Sequence, residues 1–269
     1  MNDMTSEPPA ELSENKATSE ETPDELSAVE KIIGVFIAPH STFKYLSRKP
    51  DFWTAFIVLV LAGIAFAMIV TPKMIPLQIG AAIEQVQNRP ELTEADKSSA
   101  VEMIRKYTPI AAYVGAGVGT PIMAAIMWLL ASAVVFFVAM FQGLDTDYKR
   151  VLGVLPWTAF PTLFSQAAGT IVVSMREITD VSQALDMRFM RPFSLMGLIP
   201  ASIGMPKMVE FILGSIDPFY IWGIIITVIA LEYANRCKRP QAIITTLVLA
   251  VLSLVLQASM AMLGTMGRS

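Results

Sequence analysis

The chain has one cysteine, one histidine and little charge, and each shortage closes off a class of function. Cys237 alone cannot form an intrachain disulfide, so pairing gives no reading of the redox compartment. His40 alone excludes a histidine-rich metal site. Only 16% of the 269 residues are charged, against about 25% in soluble domains, while 54% are hydrophobic and the mean hydropathy is +0.55. These values describe a polytopic membrane protein. The net charge is −3, which lacks the basic excess of a nucleic-acid surface, so no nucleic-acid partner is expected. There is no H-E-x-x-H, nucleophile elbow or P-loop, and no pair of aspartates inside a span. The chain is therefore read as non-enzymatic, with no catalytic, metal-binding or cofactor-binding residue assigned. The N-terminus lacks the basic start and apolar heart of a cleavable signal, so the first span is expected to act as its own insertion signal. The 17 methionines scatter through apolar runs, as adaptable packing does.

What remains divides into three parts. Residues 1–27 form an acidic tail, with Glu7, Glu11, Glu14, Glu20, Glu21, Asp24 and Glu25 against Lys16 and almost no large apolar residue. Such a segment cannot offset the entropy of ordering and is expected to be disordered, as a solubilising tail or a docking peptide for a basic partner. Residues 28–50 read as interfacial amphipathic helices. Val29, Ile32, Ile33 and Phe36 recur at helical spacing but end at Pro39, too soon to cross a bilayer, which takes about 20 residues. In the second short helix Phe43 and Leu46 face the apolar boundary, and Lys44, Arg48 and Lys49 reach the headgroups. His40 reads as a turn residue rather than a proton sensor.

Residues 51–269 form the membrane domain, with five spans at about 52–70, 110–141, 151–174, 218–234 and 242–263. Thr71, Pro72 and Pro76 are expected to end the first span. A water-facing stretch follows to Thr108, in which Thr93 starts an amphipathic helix. Gly115 and Gly119 open the second span with the small-x-x-x-small spacing of closely packed membrane helices. The segment 193–214 is apolar but broken by Pro200, Pro206, Lys207 and Glu210. It reads as two short interfacial or re-entrant helices rather than a sixth span. Asp217 and Pro218 are an N-cap and first-turn pair that opens the fourth span. The fold class is all-α: a helix bundle of about five transmembrane helices with interfacial helices beside it.

The chain is organised around Phe141 to Gln166. Gly143 marks a tight hairpin between two spans, and Pro156 and Pro161 each remove a backbone donor and invite a kink. Ser165 and Gln166 follow with hydrogen-bonding capacity inside an apolar span. Gln166 is expected to point toward another helix, either Gln257 of the fifth span or a different protein. Dense basic clusters (Lys44, Arg48 and Lys49; Lys149 and Arg150; Arg236, Lys238 and Arg239) flank span ends on one face. By the positive-inside rule they place the N-terminus in the cytoplasm and, with five spans, the C-terminus outside. Cys237 beside Arg236 and Lys238 reads as a boundary cysteine or an acylation site.

Three pieces of sequence together resemble the YIP family of Ypt/Rab-interacting membrane proteins. They are the P-x-x-T-F segment (Pro39, Thr42, Phe43), the V-x-P-x-x-x-x-P pattern of the third span, and the I-D-P-F-Y-I-W start of the fourth. The likeness covers about Val29 to Leu256, and Asp217, Phe219, Ile221 and Trp222 are its most specific residues. The long amphipathic loop after the first span is similar to the bacterial branch. The resemblance implies a five-span, non-enzymatic protein of the bacterial inner (cytoplasmic) membrane, without a cofactor. Eukaryotic relatives bind small GTPases and have a characteristic D-L-Y-G-P stretch before their first span, which this chain lacks, so GTPase binding is not carried over. The expected partners are the lipid bilayer and another membrane protein or a second copy. The leading function is an adaptor or assembly factor for a transport or trafficking machine. The alternative is a small-solute transporter or channel, which ranks second because intramembrane ionisable residues mark such pathways and the clean span interiors hold none, leaving only Glu232 at a helix end and Glu210 in the broken segment. Gly143, Pro156, Pro161, Gln166, Asp217, Pro218, Phe219 and Trp222 are the candidate motif and contact residues.

Overall fold

The computed structural model describes residues 25–178, 188, 191–200 and 202–266. The acidic tail therefore lies almost wholly outside the described residues. Those described fold into helices, with no strand among them.

Two short helices come first. Helix α1 (Ala28–Ile37) begins at a capping box, in which the Ser27 hydroxyl accepts from the Glu30 amide and the Glu30 carboxylate accepts from the Ser27 amide. Helix α2 (Pro39–Arg48) follows after one residue, with proline at its first position. The turn is tight because Gly34 has no side chain: a Cβ there would stand 2.3 Å from the Thr42 hydroxyl oxygen. The Thr42 hydroxyl in turn donates to the Ala38 carbonyl. These helices are not simply laid on lipid. Phe43 and Leu46, expected at the apolar boundary, are fully buried in the protein, because α2 packs along the helix that forms the centre of the bundle. An amphipathic pattern shows which face is apolar and does not show what covers it.

Helix α3 (Phe52–Gln87) starts at Asp51, whose carboxylate accepts from the Thr54 amide, and runs for 36 residues. It does not stop at Thr71, Pro72 or Pro76, as the sequence suggested; both prolines lie inside it. At 1.5 Å per residue it is about 54 Å long, against a hydrocarbon core of about 30 Å. Its second half pairs lengthwise with α4 (Glu94–Val114), and that packing outweighs the backbone bonds that the prolines remove. Thr93 caps α4 as expected, accepting from the Asp96 amide.

Helix α4 passes without a break through a five-residue π-helical stretch, Gly115–Gly119, into α5 (Thr120–Phe141). The glycines were expected to admit a neighbouring helix. Instead a Cβ at Gly115 or Gly119 would meet nothing within 4 Å, and Ala116 is the residue of the stretch that is buried. The two glycines bound a π-helical turn set inside an otherwise α-helical run, the usual form of π-helix.

Helix α5 ends in a Schellman motif: Gly143 donates to the Met140 carbonyl and Leu144 to that of Ala139, with Gly143 at φ +71°. The path back is broken as its two prolines require. Helix α6 (Tyr148–Val154) gives way to a 3₁₀ turn at Leu155–Ala159 and then to α7 (Phe160–Met175). A short 3₁₀ turn (Leu195–Leu198) and α8 (Lys207–Ser215) precede α9 (Pro218–Ala234), and α10 (Arg239–Met266) closes the chain.

Among the described residues three helices are long and apolar enough to cross a membrane: Phe52–Gln87, Glu94–Phe141 and Arg239–Ser259. The pair Met208–Ser215 and Pro218–Ala234, bent by 66°, has the length and composition of a broken span or a re-entrant loop. The five expected spans are thus three unbroken helices, one bent pair and, over 151–174, a path divided by its 3₁₀ turn. Helix α9 is the central one, packed by α2, α7, α10 and the 3₁₀ turn, with Ile226, Ala230, Leu231 and Ala234 fully enclosed.

Candidate functional site in the membrane domain

The N-terminus of α9 builds a buried polar contact with α7. Asp217 is only 3% exposed, yet both its oxygens are satisfied. One accepts from the Tyr220 amide at 2.7 Å, which caps α9. The other accepts from the Ser165 hydroxyl of α7 at 2.5 Å. Pro218 occupies the first helical position, where its missing N–H costs nothing. Phe219 stacks on Phe164 of α7 with ring centroids 5.7 Å apart, and Phe164 meets Phe36 of α1 edge-on at 5.5 Å. The D-P-F sequence therefore locks α9 to α7 by one hydrogen bond and one aromatic contact.

Beside this lock lies a cleft of about 700 Å³. Gly63, Phe66 and Val70 of α3 form one wall, Ser165 and Gln166 of α7 the second, and Gln257 of α10 the third. Asp217, Tyr220 and Arg191 close it at one end, where an Arg191 guanidinium N–H donates to the Ser215 carbonyl. The α3 wall lies 11 to 18 residues past Phe52, about 17 to 27 Å along the helix. The cleft thus lies toward the end of the bundle away from the basic clusters.

Gln166 and Gln257 both face this cleft, as the sequence suggested for the first of them, but they do not bond to each other. Both are exposed, and neither amide has a partner among the described residues. Of the other candidates, Pro156 and Pro161 are buried in the broken path, and Gly143 makes the turn at the opposite end. Trp222 is 39% exposed on the outside of α9 and takes no part in the cleft.

Several structural residues gave no signal in the sequence. Lys73 of α3 donates its ammonium to the carbonyls of Val173, Ser174 and Arg176, and so caps α7 with a cation where its dipole is negative. At the other end of the bundle Lys31 pairs with Asp51 at 2.5 Å, and the fully buried Trp157 donates its indole N–H to the Asp51 carbonyl at 2.7 Å. Burial pushes the Asp51 carboxyl up, but the hydrogen bonds from Lys31 and Thr54 and the lysine charge bring it below its ordinary value. The Cys237 thiol moves the other way: burial and then the negative Glu232 push it up, which lowers its thiolate fraction and its reactivity.

A family model described as the Yip1 domain matches residues 33–260. No curated protein and no solved structure gives a significant match. The matched region runs from α1 through the α7–α9 lock to the last span, and the chain belongs to the Yip1 family.

Proposed function

We propose that this Yip1-family membrane protein is a non-enzymatic adaptor, an assembly or accessory factor for a transport or trafficking machine. Its cleft receives a helix of another membrane protein or of a second copy. The observation that supports this reading is the pair of open glutamines, Gln166 and Gln257, on facing walls of one cleft. An amide left unpaired in hydrocarbon is penalised, and a polar side chain on an incoming helix relieves two such amides at once. Against catalysis, the Ser165 hydroxyl is spent on the Asp217 carboxylate, and the one histidine bonds Tyr233 at the other end of the bundle. Small-GTPase binding is not part of the proposal. We place the protein in a cytoplasmic membrane with the basic end and the N-terminus inside.

The test compares Gln166→Leu and Gln257→Leu with wild type at matched expression, reading recovery of co-purifying membrane proteins and the dimer fraction in mild detergent. Interhelical polar contacts in membranes average about 0.6 kcal/mol and reach about 1–2 in model peptides. Each variant is therefore expected to insert normally and to lose roughly three- to thirty-fold in association. A second reading, a small-solute transporter or channel, draws on Asp217 and Arg191 at the end of a cleft whose volume suits a small ligand. Unchanged association in both variants, together with permeability of liposomes holding the purified protein alone, replaces the first reading with the second.

A further inference from the structure

The basic clusters that sequence density assigned to one face converge on a single groove of about 780 Å³. Helix α2 contributes Lys44 and Arg48, α6 contributes Lys149 and Arg150, and Arg236 comes from the turn after α9. Two acids share the lining against five bases. Asp147 caps α6 by accepting from the Lys149 amide, and Glu232 pairs with Arg239 at 3.0 Å. Arg150 is held in place by donating to the Ala234 carbonyl at 3.2 Å, which leaves its remaining N–H groups for a ligand. Arg236 makes only a loose pair with Asp145 at 3.7 Å, both side chains being largely exposed. The side chains of Lys44, Arg48 and Lys149 have no partner among the described residues.

The level of the groove says what can reach it. Pro50 lines it, two residues before α3 begins at Phe52, and Arg236 lies three residues before α10 begins at Arg239. Trp53, 68% exposed in the first turn of α3, marks the same level with an aromatic of the kind that favours the membrane–water boundary. A concave set of lysines and arginines at that depth meets the phosphate plane of the bilayer. Guanidinium forks bind phosphate oxygens through paired N–H groups, and basic pockets between membrane helices hold anionic headgroups.

We propose that the groove between α2, α6 and the end of α9 is a specific site for a phosphate-bearing anion, supplied by the headgroup of an anionic phospholipid. A headgroup bound there bridges α2, α6 and the end of α9 at the lipid surface.

The test uses the full-length protein purified in neutral detergent, with retained lipid measured by native mass spectrometry during titration. The arms are dioleoyl phosphatidylglycerol, dioleoyl phosphatidylcholine and inorganic phosphate. The variants are Lys44→Gln/Arg48→Gln/Lys149→Gln, a control with the same charge change at the far hairpin (Arg89→Gln/Arg105→Gln/Lys106→Gln), and Lys149→Arg. Each base near a membrane surface contributes about five-fold in affinity, equivalent to about 1 kcal/mol. The groove triple variant is expected to lose about a hundred-fold in phosphatidylglycerol affinity, the control less than about two-fold, and Lys149→Arg to bind as wild type. Phosphatidylcholine is expected to be retained weakly and equally by all. An equal loss in the control overturns the site in favour of diffuse attraction. Absence of a phosphatidylglycerol preference overturns it outright. Saturation by millimolar phosphate that leaves lipid retention unchanged shows a free-anion site and overturns the lipid assignment. Unchanged far-ultraviolet circular dichroism of the triple variant separates lost binding from lost folding.

Discussion

Replacing Asp217 by alanine tests whether the α7–α9 lock holds the cleft together. The substitution removes the cap of α9, which costs about 0.5–2 kcal/mol. It also leaves the Ser165 hydroxyl, only 6% exposed at its residue, without its acceptor, at about 1–3 kcal/mol. Destabilisation of about 2–4 kcal/mol is expected for Asp217→Ala. Asp217→Asn keeps an oxygen for the Tyr220 amide and presents an amide to the Ser165 oxygen, so its cost should be about 1 kcal/mol or less. Ser165→Ala strips one bond from a buried carboxylate and should cost about 1–3 kcal/mol. The double variant then isolates the pair, with a coupling energy of about 1–2 kcal/mol. Unfolding by SDS titration in bicelles, followed by tryptophan fluorescence, gives all four free energies. A coupling below about 0.3 kcal/mol would mean that the 2.5 Å contact carries no energy, and the reasoning about the lock would fall with it.

Three further outcomes follow from other parts of the fold. A Cβ at Gly153 would lie 2.4 Å from Pro50 Cβ and 2.9 Å from Pro50 Cα; Gly153→Ala should therefore cost about 1–3 kcal/mol in the same assay, since backbone cannot yield as a side chain tip can. The Asp51 carboxyl is lowered by folding, so its contribution is present above its ordinary value of 3.8 and is lost as pH falls through the folded value. Between pH 6 and pH 3 wild type should lose more stability than Asp51→Asn, and parallel curves would remove Asp51 from the linkage. For orientation, single cysteines at Asp145 and Ser98 in a Cys237→Ser background are labelled on intact cells with an impermeant maleimide. Position 98 should react and 145 should not, and the reverse pattern would invert the protein.

What the sequence showed well is what local chemistry decides. Thr93, Asp217 with Pro218, and Gly143 were legible because a cap or a turn needs a particular residue within three or four positions of the group it satisfies. The kinked path at Pro156 and Pro161 was legible for the same reason. Pro72 and Pro76 misled because the local argument is sound but incomplete: α4, which begins beyond them, supplies the packing that carries α3 through. The contacts between distant residues were invisible. Ser165 and Asp217 are 52 positions apart, and Lys73 caps a helix that ends 102 positions later. A serine or a lysine in an apolar run does not announce its partner. The glycines at 115 and 119 matched a packing motif whose spacing also suits a π-helical turn, and spacing alone cannot separate the two.

The two candidate sites lie at opposite ends of α9, and this makes their tests independent. The helix has 17 residues and is about 26 Å long. Asp217 at its start closes the cleft, and Ala234 at its end takes the hydrogen bond that holds Arg150 in the groove. Between them the buried face carries no charge, only Gly223, Ile226, Thr227, Ile229, Ala230 and Leu231. Electrostatic influence from one end must cross that stretch, so Gln166→Leu should leave lipid retention unchanged, and loss of the groove bases should leave partner recovery unchanged. If either variant moves the other's readout, the connection is mechanical. The element to suspect is then α9 itself, since a shift along its axis is the one motion that reaches both sites at once.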